Sequence, residues 1–178
     1  MATLSTASKL QYEFMIGGGP PHLMALTAQT DTTGYLKGMP MLIDASGEWA
    51  GCATGQLGPA ENSVIGIALH DYPGASETQT CVFVTDHTVF SAVVAHATTA
   101  SAITGTTMLG NVYAIESCAS IEGAATSACF LMGIASTDTQ GGYVMGFKDD
   151  VGTAYGRVYF VFSRAGSTES PFWTGIST

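Results

Sequence analysis

Basic charge is scarce in this chain of 178 residues, where five lysines and arginines stand against fourteen acidic residues for a formal net charge of −9. Lys9, Lys37, Lys148, Arg157 and Arg164 are scattered. Nucleic-acid binding needs a clustered cationic footprint that displaces counterions from phosphate, so the chain is expected to bind neither DNA nor RNA directly. An acidic surface instead keeps a protein soluble beside polyanions without adhering to them. Long apolar runs are also missing: none approaches the ~20 residues of a membrane-spanning helix, so no membrane partner is expected. The opening "MATLSTASKLQYEFMI" lacks a basic start followed by an apolar stretch and a small-residue cleavage site, and the expectation is synthesis in the cytosol.

Cysteine is sparse and unpaired in pattern. Cys52, Cys81, Cys118 and Cys129 form no C-x-x-C, the spacing that zinc ribbons and thioredoxin-like sites use. Each lies among apolar or small residues, as in "TCVFV" and "ACFLM", which suits buried thiols in a reducing compartment. Two disulfides are the alternative if the finished particle is extracellular.

The motifs of known catalytic chemistry are absent too. "IGGGPPH" carries no Lys-Ser or Lys-Thr after its glycines and so cannot cradle phosphate, and there is no Gly-x-Ser-x-Gly elbow. His22, His70, His87 and His96 fall into neither H-E-x-x-H nor H-x-H, so no metal site and no cofactor is expected. Asp86-His87 and Asp149-Asp150 follow apolar runs and precede small residues, where Asp side chains cap turns. No catalytic residue is assigned, and the chain is read as a non-enzyme.

What the sequence does hold is a succession of short β-branched and aromatic runs punctuated by 22 glycines. "QYEFMI", "GMPMLID", "EWAGCA", "SVIGIAL", "TCVFVTD", "TVFSAVVA", "NVYAIES", "ACFLMGIA", "GYVMGF" and "GRVYFVFS" are expected strands. No stretch shows helical periodicity with caps; a turn or two near "TTASAITG", residues 98–105, is the best candidate. Strands at such spacing point to an all-β protein, an antiparallel sandwich or barrel of jelly-roll or tulip-like form.

The frame "IGIALHD" at 65–71 returns as "MGIASTD" at 132–138 with Thr137 in place of His70, so the glycine-led frame rather than the histidine is what repeats. The two copies suggest two related lobes within residues 34–178. Residues 1–33 differ, because "GGGPP" loosens the backbone and removes amide donors. That segment is expected to be an extended arm or connector. Its apolar side chains Tyr12, Phe14, Met15, Ile16, Leu23 and Met24, together with Trp173 near the other end, are the candidate interface.

Taken as an ordered set, "GYLKGMPMLIDASGEWAGCA", "VIGIALHDYPG" and "CVFVTDHTVFSAVV", then "TTMLGNVYAIES", "FLMGIAS" and "DDVGTAYGRVYFVFS", resemble the head-decoration, or cement, proteins of tailed bacteriophages. The resemblance covers residues 34–163. It implies a virion protein made in the host cytoplasm that sits on the outer capsid surface, binds the major capsid protein at capsomer junctions, and does so as a homotrimer. A receptor-binding or carbohydrate-binding module of the virion or tail, using exposed aromatics such as Trp49, Tyr72 or Trp173, is the other reading.

Overall fold

The computed structural model describes residues 10–28, 35–51, 66–72, 77–85, 87–95, 104–117, 130–137 and 141–162. They form β1 (Gln11–Met15), β2 (Leu23–Thr27), β3 (Pro40–Ile43), β4 (Trp49–Gly51), β5 (Gly66–Ala68), β6 (Thr78–Phe83), β7 (Thr88–Ala95), β8 (Val112–Ser117), β9 (Phe130–Thr137), β10 (Gly142–Phe147) and β11 (Arg157–Phe162). Among the described residues a 3-10 turn, Thr106–Met108, lies between β7 and β8. The protein is all-β, as its pattern of short apolar runs requires.

Five strands close into a barrel in the order β7, β11, β10, β8, β9 and back to β7. An odd number of strands cannot alternate direction all the way round, so one neighbouring pair has to run parallel. That pair is β7 and β9, joined through Val94 with Met132 and Ala95 with Gly133. The other neighbours are antiparallel. Every second residue points inward, which brings Phe90, Ala92 and Val94 of β7 against Val158, Phe160 and Phe162 of β11, with Tyr113, Ile115, Met132 and Val144 completing the core. The rings of Phe90, Phe160 and Phe162 meet at centroid distances of 5.2–6.0 Å, mostly edge to face. Gly142 makes room for them: a Cβ there would lie 2.6 Å from both Met132 Cε and Phe160 Cδ2.

β2, β6, β5, β3 and β4 form a second, wholly antiparallel sheet. It curls until Ala28, just past β2, makes a parallel bridge with Trp49 of β4. Its two faces serve different cores. Met41, Ala68 and Cys81 point inward onto Trp49 and the stacked pair Tyr35 and Tyr72. One residue away along the same strands, Ile67 and Val82 point outward into the barrel's core cluster. The alternation of a strand is thus used to join two cores through one sheet.

Within the expected arm of residues 1–33, residues 1–9 and 29–33 lie outside the described residues, and residues 10–28 are strands and a turn rather than an extended arm. The two apolar runs are strands of this chain's own sheets: β1 pairs with β7 beside the barrel, and β2 pairs with β6. The reason is local. Tyr12 packs on Phe90 and Met24 and Leu26 pack on the second core, so intrachain surfaces cover them. Residues 16–22 remain a connector, now between two sheets. β2–β6 lie in one sheet and β1 and β7–β11 in the other. The two glycine-led frames fall in different sheets, on β5 and β9. Of the expected helical turn, residues 98–103 lie outside the described residues; Thr104 and Gly105 are not helical.

Candidate docking surface

β1 is shaped by a bulge. Tyr12 stands opposite Phe90 and Phe14 opposite Val89, so Glu13 is the extra residue and the register shifts across it. A bulge of this kind re-aims side chains. Tyr12 keeps its inward place, 6.4 Å edge to face from Phe90. Phe14 lies on the outer face against Tyr159 of β11, at 5.9 Å. Glu13 reaches over β7, where its Oε1 accepts from Ser91 Oγ at 2.6 Å and from Lys148 Nζ at 2.6 Å.

Arg157 completes this cluster. Its Nη1 donates to Ser91 Oγ at 2.8 Å, and its backbone amide donates to Asp149 Oδ2 at 2.7 Å. Burial pulls the guanidinium below its ordinary pKa, while Glu13 and Asp149 act in the opposite direction. Two of the chain's five cations therefore gather where β1 lies on the barrel, and one carboxylate on β1 answers them. No sequence pattern announced this group, because Glu13 is 78 residues from Ser91 and 135 from Lys148.

Between β1 and β2 the chain turns on Gly17, Gly18 and Gly19, whose φ angles are +87°, +82° and +98°. These are left-handed conformations that other residues adopt at a cost. The turn is held by Ile16 N donating to His87 O at 2.8 Å and Gly18 N donating to Met15 O at 3.0 Å. Either side of it, Phe14 is 46% exposed and Leu23 57% exposed, among the few large apolar side chains left open to solvent.

The candidate interface residues thus separate. Phe14 and Leu23 are open, Ile16 is half-buried, and Tyr12 and Met24 are half-buried against the cores. Met15 is buried. Trp173 lies outside the described residues. Trp49 and Tyr72, considered above as sugar-stacking aromatics, are buried in the second core and present no ring to solvent. Trp49 fills the curled sheet, as a lone tryptophan on a strand more often does, with its indole N–H lacking a hydrogen-bond partner.

A cavity of about 380 Å³ opens where the two sheets meet, lined by Leu10, Gln11, Tyr12, Lys37 and Ile67–Leu69. It holds no convergent set of acids and bases. Asp71 accepts the Lys37 backbone amide at 2.8 Å, and Asp44 accepts those of Ser46 and Glu48 at 2.8 and 2.9 Å. These carboxylates, like Asp149, cap backbone in turns. His22, His70 and His87 are exposed, and His96, like Asp86, lies outside the described residues. Among the described residues no group of three or more His, Cys, Asp or Glu is placed to hold a metal ion, and no helix is long and apolar enough to cross a membrane. Cys81 is a buried free thiol; Cys52, Cys118 and Cys129 lie outside the described residues.

No protein-family model matches the chain, and no curated protein matches it.

Proposed function

We propose that this chain is a structural virion protein that decorates a bacteriophage head, binding the major capsid protein on the outer surface as a homotrimer and strengthening the shell. The observation that carries the reading is the pairing of an acidic chain, at −9, with open apolar side chains on both flanks of one glycine turn. Phe14 and Leu23 offer a dry contact, while the acidic remainder resists adhesion to packaged or spilled nucleic acid. The ordered succession of strand motifs that resembles cement proteins points the same way.

Such a protein works by mass action. Whatever binds the assembled lattice and not its separated subunits stabilises the lattice by RT ln(1 + [L]/Kd) at each site. A trimer that touches several capsid subunits turns modest contacts into slow release. The receptor-binding or sugar-binding alternative loses two of its three candidate aromatics, since Trp49 and Tyr72 are buried.

Electron microscopy of the phage particle that carries this chain tests the reading. Regular density on the outer head surface, in fixed ratio to the capsid protein, is expected. Density confined to the tail tip would favour the receptor reading, and absence from the particle would overturn both.

A further inference from the structure

The barrel's ring of strand pairings closes without β1, although Leu10 and Tyr12 pack into its core. Its ring runs β7, β11, β10, β8, β9 and closes onto the second half of β7, at Val94 and Ala95. β1 takes the first half of that same edge, Thr88 to Ser91. Removing β1 therefore leaves the ring of pairings complete and opens a slot one strand wide. What the slot accepts is defined by what fills it. It takes an aromatic side chain onto Phe90, a carboxylate at a bulge onto Ser91 and Lys148, and a second aromatic onto Tyr159.

The connection that folds β1 back onto its own barrel is anchored at its ends by Ile16 N donating to His87 O and Phe83 N donating to His22 O, while a Cβ added to Gly17, Gly18 or Gly19 between them would meet nothing within 4 Å. Three successive glycines at positive φ are then followed by Pro20 and Pro21, which offer no backbone N–H to hold the turn to a neighbouring strand. Drawn out, the seven residues from Ile16 to His22 span roughly 23–25 Å at ~3.3–3.6 Å per residue.

We propose that in the assembled oligomer β1 is exchanged, each copy's β1 filling the β7 slot of a neighbour with the contacts described for its own. The proposal rests on the self-association included in the proposed function. It adds the element that performs it: passed in one direction around a ring, a strand in a slot generates a closed cyclic assembly.

Disulfide trapping in the full chain tests this. Facing residues on antiparallel strands have Cβ atoms close enough to bridge. F14C is placed on one chain and V89C on a second chain of different tag length, and the two are co-expressed and oxidised, with each single variant as the control for native cysteines. Exchange predicts a disulfide between the two chains as the principal product. The double variant F14C/V89C in one chain predicts a ladder of cross-linked copies, and M15C/T88C provides a second facing pair should the first misfold. Disulfides confined within single chains, in a protein that light scattering finds oligomeric, overturn exchange and leave self-association standing. The same intrachain result in a monomeric protein overturns both. Deleting Gly17–Gly19 is expected to raise the oligomeric fraction, because the chain can no longer turn back; an unchanged folded monomer counts against exchange.

Discussion

The barrel and the curled second sheet solve the same problem, an open sheet edge, by different means. The barrel closes with paired backbone, β9 returning to β7, and its interior is almost wholly aliphatic and phenylalanine side chains. The second sheet closes through one bridge, Ala28 with Trp49, and its interior is wedged by Trp49, Tyr35 and Tyr72. Closure by pairing leaves every core residue free to be apolar. Closure by a wedge relies on large amphipathic rings, and one of them pays with an unpartnered indole N–H. The difference teaches that the second sheet depends on individual side chains, whereas the barrel depends on its ring of strands.

The largest effect is expected from Phe160→Ala, which empties the centre of the ring cluster and should cost about 3–5 kcal/mol in denaturant unfolding. Because Ile67 and Val82 of the second sheet sit in the barrel core, Trp49 fluorescence and far-ultraviolet dichroism should report one coincident transition. Two separate transitions would show that the sheets fold independently and break the comparison at its root.

Gly66→Val strikes the wedge. A Cβ at this position already lies 2.8 Å from the Trp49 ring and 2.9 Å from Cys81 Cβ, so a destabilisation of about 1–3 kcal/mol is expected, measured by thermal melts. Gly133→Val, the matching step in the second frame, falls instead on the parallel closure at Ala95. Its effect should appear as slower refolding into the barrel.

Glu13→Ala removes the carboxylate that answers Lys148 and Ser91, with an expected loss of about 1–2 kcal/mol and faster hydrogen exchange confined to β1 and the facing part of β7. Uniformly faster exchange throughout the barrel would mean that β1 is integral to its closure.

Cys81 gives a pH-dependent test of the wedge. Burial pushes its thiol up to about 12, from 9.0. The fold therefore keeps its proton where the unfolded chain has lost it, and this contribution is full below pH 9 and lost as the pH rises from 9 through 12. Relative to Cys81→Ala, the unsubstituted protein should lose stability across that window. At pH 8 peptide mapping should find Cys81 unmodified by thiol reagents until the protein unfolds. The smallest effect belongs to His70→Thr, within about 0.5 kcal/mol, since His70 is exposed and its neighbour Asp71 accepts the Lys37 backbone amide.

Ten of the eleven strands were legible in the sequence, because β-branched and aromatic runs between glycines state a strand without outside help. β2, "LMALT", was not. Leucine, methionine and alanine carry no strand preference, and only pairing with β6 draws the segment into a sheet. The glycine-rich connector reads as a break, while the partner of the strand beside it, β7, lies far along the chain and is not marked in local pattern. Of the candidate surface, Phe14 and Leu23 are exposed and Met15 is buried. The bulge that turns Glu13 onto Ser91 and Lys148 left no trace in local pattern, since a bulge is set by the partner strand rather than by its own residues.

The separation of Glu13 from Ser91, 78 residues, also sets a clock on biosynthesis. At ~5–20 residues per second a ribosome needs roughly 4–16 s to add that stretch, and β1 has no home until β7 emerges. For those seconds "YEFMI" hangs from the nascent chain with its aromatic side chains wet. On a polysome the first vacant β7 edge it meets can belong to the chain being made ahead of it, so under the proposed exchange the ribosome's pace and spacing would bear on which copies are joined.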